Sequence, residues 1–393
     1  MAQQLATWTQ LTKRSALQDM LELTSGSEYI SFGLGLPNAE FFPTEQLARS
    51  ANEVLLQQSN ILQYAPPTEL LKQQIQLLMG QRGVHCSTSQ IFLTAGAQQG
   101  INLLARLLLD PGKTVLSEEV TYTGFLQVLE PFQPRILTVP TDPVMGIDVE
   151  QVEKILQTEE RPACMYVIPS GHNPLSYTLS REKRQRLAQL AAEYEVPIIE
   201  DDPYGFLEYE DIEIPAIKSF QSDWVFYVGS FSKILAPGLR LGWIIANEEV
   251  IEKLSIAKEA TDINTTTLTQ QIAANFLQKD EFTKHLLYLR QEYSSRRNCM
   301  LDHLSARLGE VGSWTSPTSG IFIWVRFPEY INTMELFRES ITTEKVTFFP
   351  GNVFAVGQNQ ISTSSIRLNF SFNNHDKIDE GIARLSRLVK RHI

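Results

Sequence analysis

Lys233 stands in the run Gly229-Ser230-Phe231-Ser232-Lys233-Ile234-Leu235-Ala236-Pro237-Gly238-Leu239-Arg240-Leu241-Gly242. A lysine amine condenses with an aldehyde to give an imine. The serine hydroxyls and the arginine nearby suit a phosphate, the serines as donors and the arginine as a planar fork. A solvated Lys-Arg loop would account for a bare Ser-x-Ser-Lys. The longer run through Pro237-Gly238-Leu239-Arg240 is much more specific.

Other groups could serve the same chemistry. Val196-Pro197-Ile198-Ile199 ends in Glu200-Asp201-Asp202-Pro203-Tyr204. A carboxylate buried there needs a cationic partner. Strand alternation puts Asp201 on the face of Ile199 and Asp202 on the other. Thr94-Ala95-Gly96-Ala97-Gln98-Gln99 precedes a helical pattern. Free backbone N–H groups and the helix dipole at such a start favour phosphate. In Ser365-Ile366-Arg367-Leu368-Asn369-Phe370, Arg367 sits amid apolar residues, where an arginine calls for a carboxylate. Asn173-Pro174, taken alone, is a turn signal.

The elements that must position these residues follow from hydrophobic patterning. Thr114-Val115-Leu116, Cys164–Ile168, Val196–Ile199, Val225–Val228 and Leu241–Ile245 are short apolar runs. They alternate with helical patterns, such as Gln99–Leu109 and the segment after Ser180. That texture predicts an α/β fold with a mostly parallel sheet buried on both faces. In such sheets ligands bind beyond the carboxyl ends of the strands, where the unusual polar residues lie. A long charged helix is expected from about Glu281 to Leu308, followed by the strand Gly320–Val325. The expected division is an N-terminal segment, 1–50, contributing to a small α+β domain, a large domain over 51–285, and the rest of the small domain over 286–393.

Composition bounds the function. The chain has 393 residues, 43% hydrophobic and 20% charged, with a formal net charge of -11. Phosphate-backbone binding needs concentrated Lys and Arg, so no nucleic-acid partner is expected. Cys86, Cys164 and Cys299 are scattered and show neither disulfide nor zinc spacing. No metal site is expected, and the His85-Cys86 pair reads as packed or solvated residues. No apolar run reaches the roughly 18 residues of a membrane helix. Met1-Ala2-Gln3-Gln4-Leu5 lacks the start of a signal peptide, so a cytoplasmic protein is expected.

Taken in order, these motifs resemble the class I/II aminotransferases, fold-type I pyridoxal-phosphate enzymes, from about Trp8 to the last residues. The resemblance implies pyridoxal 5′-phosphate held by Lys233 as a Schiff base, with Ser230, Ser232 and Arg240 on the phosphate side. It implies Asp201, three residues before Tyr204, at the ring nitrogen, and Tyr204 and Asn173 at the phenolate oxygen. Asn173-Pro174-Leu175-Ser176 stands where the family has Asn-Pro-Thr-Gly. Gly96, Ala97 and Gln98 correspond to the phosphate cradle, Ala97 through its backbone. Tyr122 corresponds to the aromatic that stacks on the ring, and Arg367 to the arginine that holds the substrate α-carboxylate. Ile30–Asn38 resembles the family's Ile-Ser-Phe-Ala-Gly-Gly-Leu-Pro, which sets Gly35 against the substrate. Tyr64, in Leu62–Glu69, resembles a tyrosine that reaches the phosphate of the second subunit, implying a homodimer with shared sites.

The implied activity is ping-pong transfer of an amino group from an L-α-amino acid to a 2-oxoacid. Lyases, decarboxylases and cyclases use the same constellation and are the alternative. A regulator would need a basic helix-turn-helix module ahead of the family region, and none is expected. The nearest branch is that of aminoadipate, kynurenine and broad-specificity enzymes. Gln18, in Ser15-Ala16-Leu17-Gln18, stands where an arginine is common, which weakens the case for an acidic substrate side chain.

Overall fold

The apolar runs become inner strands of one seven-stranded sheet. A computed structural model of the chain describes residues 6–10, 26, 28–210, 214–221, 223–357 and 360–393. The Ser15–Gln18 stretch lies outside the described residues. The strands are β1 (Ile91–Thr94), β2 (Thr114–Glu118), β3 (Arg135–Val139), β4 (Cys164–Val167), β5 (Ile198–Asp201), β6 (Val225–Ser230) and β7 (Gly242–Ile245). Their spatial order is β1-β7-β6-β5-β4-β2-β3. The pairs from β6 across to β3 are all parallel, and β7 runs antiparallel to both neighbours. Strands β1 and β3 were not among the expected runs. Arg135–Val139 is a half-exposed edge strand, so it lacks the continuous apolar signal of the inner ones.

The one reversal matters for the site. Because β7 opposes both neighbours, β1 runs in the same direction as β6. The carboxyl ends of β1, β2, β4, β5 and β6 therefore share one edge of the sheet with the start of β7. Gly242 pairs with both Thr94 and Ser230, which fixes the register of the three ends. The β6–β7 connection contains Lys233 and Arg240, and Arg240 closes its Pro237–Leu239 turn in the left-handed region at φ 51°.

Helices cover both faces. Leu116, Met165, Val167 and Ile198 pack on one side of the sheet with Leu187, Leu190 and Ala191 of helix Arg181–Glu193. Val115, Tyr166, Ile168 and Ile199 pack on the other with Ile101, Leu103 and Leu104 of helix Ala97–Leu108. Each such side chain contributes roughly 1.5–3 kcal/mol of burial. Ser180 caps the first of these helices by accepting from Lys183 N at 3.3 Å.

The charged segment forms a single helix, Glu281–Leu308, with Phe282, Leu286, Leu289, Tyr293, Met300, Leu304 and Leu308 buried along it. It leads to a second, antiparallel sheet of β8 (Ser313–Trp314), β9 (Phe322–Arg326), β10 (Phe349–Pro350) and β11 (Ser365–Asn369), ordered β8-β9-β11-β10. Residues 31–36 are held on β11 and the turn after it. Asn369 N donates to Phe32 O at 2.7 Å, Asn369 Nδ2 to Leu34 O at 2.7 Å, and Asn373 Nδ2 to Ser31 O at 2.8 Å. Among the described residues no helix is long and apolar enough to cross a membrane. None of their His, Cys, Asp and Glu side chains form a group of three or more able to hold a metal ion.

Candidate active site

A cavity of about 320 Å³ opens at the shared edge, between the large sheet and β9–β11. Its lining brings together Gly35, Ala97, Gln98, Tyr122, Asn173, Asp201, Tyr204, Ser230, Ser232, Lys233, Arg240 and Arg367. Two expected residues stand apart from it. Gly96 lies just behind the wall against Arg240, and Tyr64 is 80% exposed and outside the cavity.

Lys233 Nζ donates to Gly35 O at 2.6 Å. Burial, then the positive charges of Arg367 and Arg240, pull its pKa down to about 8. The amine is thus far more readily neutral than a solvated lysine, as a nucleophile must be.

Asp201 ends β5 on the cavity side. Its Oδ2 accepts from Tyr166 Oη at 2.6 Å, and its buried Oδ1 has no partner. Burial raises its pKa to about 7, with a further push from Asp202 and an opposing pull from the Tyr166 hydroxyl. The next residue behaves differently, as alternation requires. Asp202 turns away and pairs with Arg82 at 3.0 Å.

Arg367 on β11 is buried. Nη1 donates to Asn173 Oδ1 at 2.6 Å and Nη2 to Gly33 O at 2.5 Å, while Nε has no partner. The rings of Phe322, Phe349 and Phe354 surround its guanidinium, with centroids 4.0, 4.8 and 4.8 Å away. Burial pulls its pKa down to about 9, against the influence of Tyr204 and Tyr122. Burial likewise pushes the Tyr122 phenol up to about 12 and the Tyr204 phenol well up.

The opposite wall is built from backbone and small residues. Helix Ala97–Leu108 starts there behind Gly96, whose φ is +90°. A Cβ on Gly96 would meet Arg240 Nη2 at 2.7 Å, so only glycine lets the arginine lie across this turn. Arg240 Nη2 donates to Ala95 O at 2.9 Å, and Ser232 N donates to Ser230 Oγ at 3.1 Å. Gln98 Nε2 donates to Gly124 O at 2.8 Å and leaves its buried Oε1 unpaired.

These residues fit pyridoxal phosphate. The unpaired Asp201 Oδ1 awaits a cationic donor, the helix start with Arg240 and two serines suits a phosphate, and the amine of Lys233 stands within the same cavity.

Several contributors were not read from the sequence. Tyr166 orients Asp201, and its signal was a lone hydroxyl in an apolar strand. Tyr166 pairs with Ile199 across β4 and β5, which puts it on the same face as Asp201. The three phenylalanines around Arg367 carry no signal beyond hydrophobicity. Ser176, where the family has glycine, adopts φ 63°. Its hydroxyl lies 2.7 Å from Thr315 Oγ1 and accepts from Trp324 N at 3.2 Å, tying the Asn173 loop to β9.

The chain is similar in sequence and fold to known aminotransferases. The family model for aminotransferase class I and II matches residues 28–385. The chain is 33% identical over 400 residues to an uncharacterized aminotransferase of Saccharolobus solfataricus, covering 99% of this chain and 98% of that one. It is 34% identical to aromatic-amino-acid aminotransferase 1 of Thermococcus litoralis, covering 97% and 93%. The crystal structure of LysN, the α-aminoadipate aminotransferase of Thermus thermophilus complexed with N-(5′-phosphopyridoxyl)-L-leucine, superposes with a TM-score of 0.91 at 30% identity, covering 99% and 97%. The chain belongs to the class I and II aminotransferases and is a pyridoxal-phosphate-dependent enzyme of that family.

Proposed function

We propose that this cavity attaches pyridoxal 5′-phosphate to Lys233 and exchanges an amino group between an L-α-amino acid and a 2-oxoacid. One observation carries the reading. An amine with a depressed pKa, an unpaired buried carboxylate oxygen and a buried arginine without a carboxylate line the same space.

When bound, the cofactor supplies an aldehyde that takes up amines and a ring that spreads negative charge from the adjoining carbon. Asp201 Oδ1 would accept from the protonated ring nitrogen, Asn173 and Tyr204 would serve the phenolate oxygen, and Tyr122 would support the ring. Ala97, Gln98, Ser230, Ser232 and Arg240, with the backbone turn at Gly96, would hold the phosphate. Arg367 would offer its fork to the substrate α-carboxylate, beside Gly35 and Asn173. Lys233 Nζ, set free when the amino group of the substrate takes its place on the aldehyde carbon, would take the proton from Cα as base and then, as acid, deliver it on the cofactor side rather than back to Cα.

In this reading residues 51–285 form the cofactor domain, and 1–50 with 286–393 form the smaller one. The exposed Tyr64, with Leu55, Leu56 and Leu62 exposed in the same part of the chain, supports a homodimer in which Tyr64 reaches the phosphate of the second subunit. The protein works in the cytoplasm on small molecules, with no nucleic acid, membrane or metal.

The test is a half-reaction. The loaded protein is mixed with single L-amino acids in the absence of an oxoacid, and cofactor and products are identified. The reading expects stoichiometric aminated cofactor and the matching oxoacid. Retained aldehyde with release of a side-chain fragment or carbon dioxide would overturn it.

A further inference from the structure

Behind the cavity, on the far side of the β5 end, lies a buried polar cluster that the reaction does not touch. Arg82, in the turn after helix Glu69–Gly80, sends Nη2 to Asp202 Oδ2 at 3.0 Å and to Ser170 Oγ at 3.2 Å. Tyr227 Oη on β6 donates to the same Asp202 oxygen at 3.2 Å. Asp202 is 1% exposed, Arg82 4% and Asp201 4%. Gly205 makes room for this arrangement, since a Cβ there would meet Asp202 Oδ2 at 2.2 Å.

Two adjacent carboxylates are thus enclosed at one strand end. Like charges so placed disfavour each other's ionisation unless a cation compensates. Arg82 is the cation in contact with Asp202, the member of the pair turned away from the cavity, and Ser170 ties it to the loop that carries Asn173.

We propose that Arg82 is the counter-ion that keeps Asp201 available to the cofactor: by offsetting the charge of Asp202 it lowers the cost of a second carboxylate charge beside it. It acts at one remove, through Asp202, and touches neither cofactor nor substrate. The inference rests on the assignment of Asp201 to the ring nitrogen.

Other groups face the pair. Tyr166, Tyr122 and Tyr204 surround Asp201, with Lys233 and Arg367 on the same cavity wall. Glu200, Glu208, Tyr227 and Arg184 act on the Arg82–Asp202 side, and Lys218 lies beside Glu200. Glu200 is already engaged, accepting from Ile217 N at 2.7 Å and Lys218 N at 2.8 Å. Charge changes at Arg82 and at Asp202 therefore reach Asp201 with opposite sign.

The experiment is a spectroscopic titration of the cofactor-stripped protein with pyridoxal phosphate, repeated across the pH range in which Asp201 ionises. Arg82→Met leaves Asp202 uncompensated, so the pH midpoint for tight binding should rise by about one unit, weakening binding about tenfold at pH values below the wild-type midpoint. Asp202→Asn leaves Arg82 unbalanced, so the midpoint should fall. The double variant should return towards the wild type. Shifts in the same direction, or no shift in either single variant, overturn the proposal. Should Arg82→Met fail to fold, Asp202→Asn decides alone: a fall supports the proposal, and an unchanged or higher midpoint overturns it. Asp201→Asn separates the two levels. If it binds the cofactor as the wild type does at every pH, the assignment of Asp201 fails and the inference with it.

Discussion

Arg184 and Arg367 are both buried, and their surroundings differ in kind. Arg184 sends Nε to Leu179 O at 3.0 Å, Nη1 to Pro215 O at 3.3 Å, and Nη2 to Pro169 O at 2.8 Å and Ser170 Oγ at 3.1 Å. Arg367 has two acceptors, an unpaired Nε and three aromatic faces. Burial pulls both pKa values down, to about 10 and about 9. For Arg184, Asp202, Glu200 and Glu208 oppose that pull. For Arg367, only two tyrosines do. A buried cation that the fold satisfies is part of the scaffold. One that the fold leaves short of a carboxylate is set for a ligand that brings one.

The contrast predicts opposite phenotypes. Arg367→Ala should lower kcat/KM for the amino acid by on the order of 10³-fold, chiefly through KM, because a charge-assisted fork to the carboxylate is lost. Cofactor binding and thermal stability should change little. Steady-state kinetics with an unchanged KM would break the contrast. Arg184→Met should instead cost about 3 kcal/mol of stability in denaturant unfolding, since several buried acceptors lose their donor. Its KM should stay near that of the wild type. If it raises KM as much as Arg367→Ala does, the two arginines are not distinct in role.

The third prediction is smaller and concerns Lys233. Only the neutral amine attacks an aldehyde, and burial brings its pKa down to about 8. The rate at which stripped protein takes up pyridoxal phosphate should therefore rise with pH and level off above about 8. Stopped-flow absorbance measures it. A rate still climbing steeply towards the ordinary lysine value of 10.5 would place the amine in water rather than in the cavity.

What could be read from sequence follows the same line between scaffold and site. Lys233, Asp201 and Arg367 were legible as candidates because motifs that are each weak alone recur in order at strand ends and resemble one family. Asp201 was preferred to Asp202 by its place three residues before Tyr204 in the motif it resembles, and strand alternation then puts the two on opposite faces. The long helix Glu281–Leu308 was legible from its pattern. The edge strand β3 was not, since an edge needs no continuous apolar run. Nor was the Arg82–Asp202 pair, whose members are 120 residues apart. The reversal of β7 depends on a turn closed by Arg240 at positive φ, and local composition does not announce it.

The most direct test of the account maps the cofactor. The loaded protein is treated with a hydride reductant, which turns an imine into a stable amine, then digested and analysed by peptide mass spectrometry. The account predicts one pyridoxyl adduct, on the peptide containing Lys233, and none in Lys233→Ala. An adduct on another lysine, such as Lys218 or Lys258, or unchanged turnover in Lys233→Ala, would contradict it.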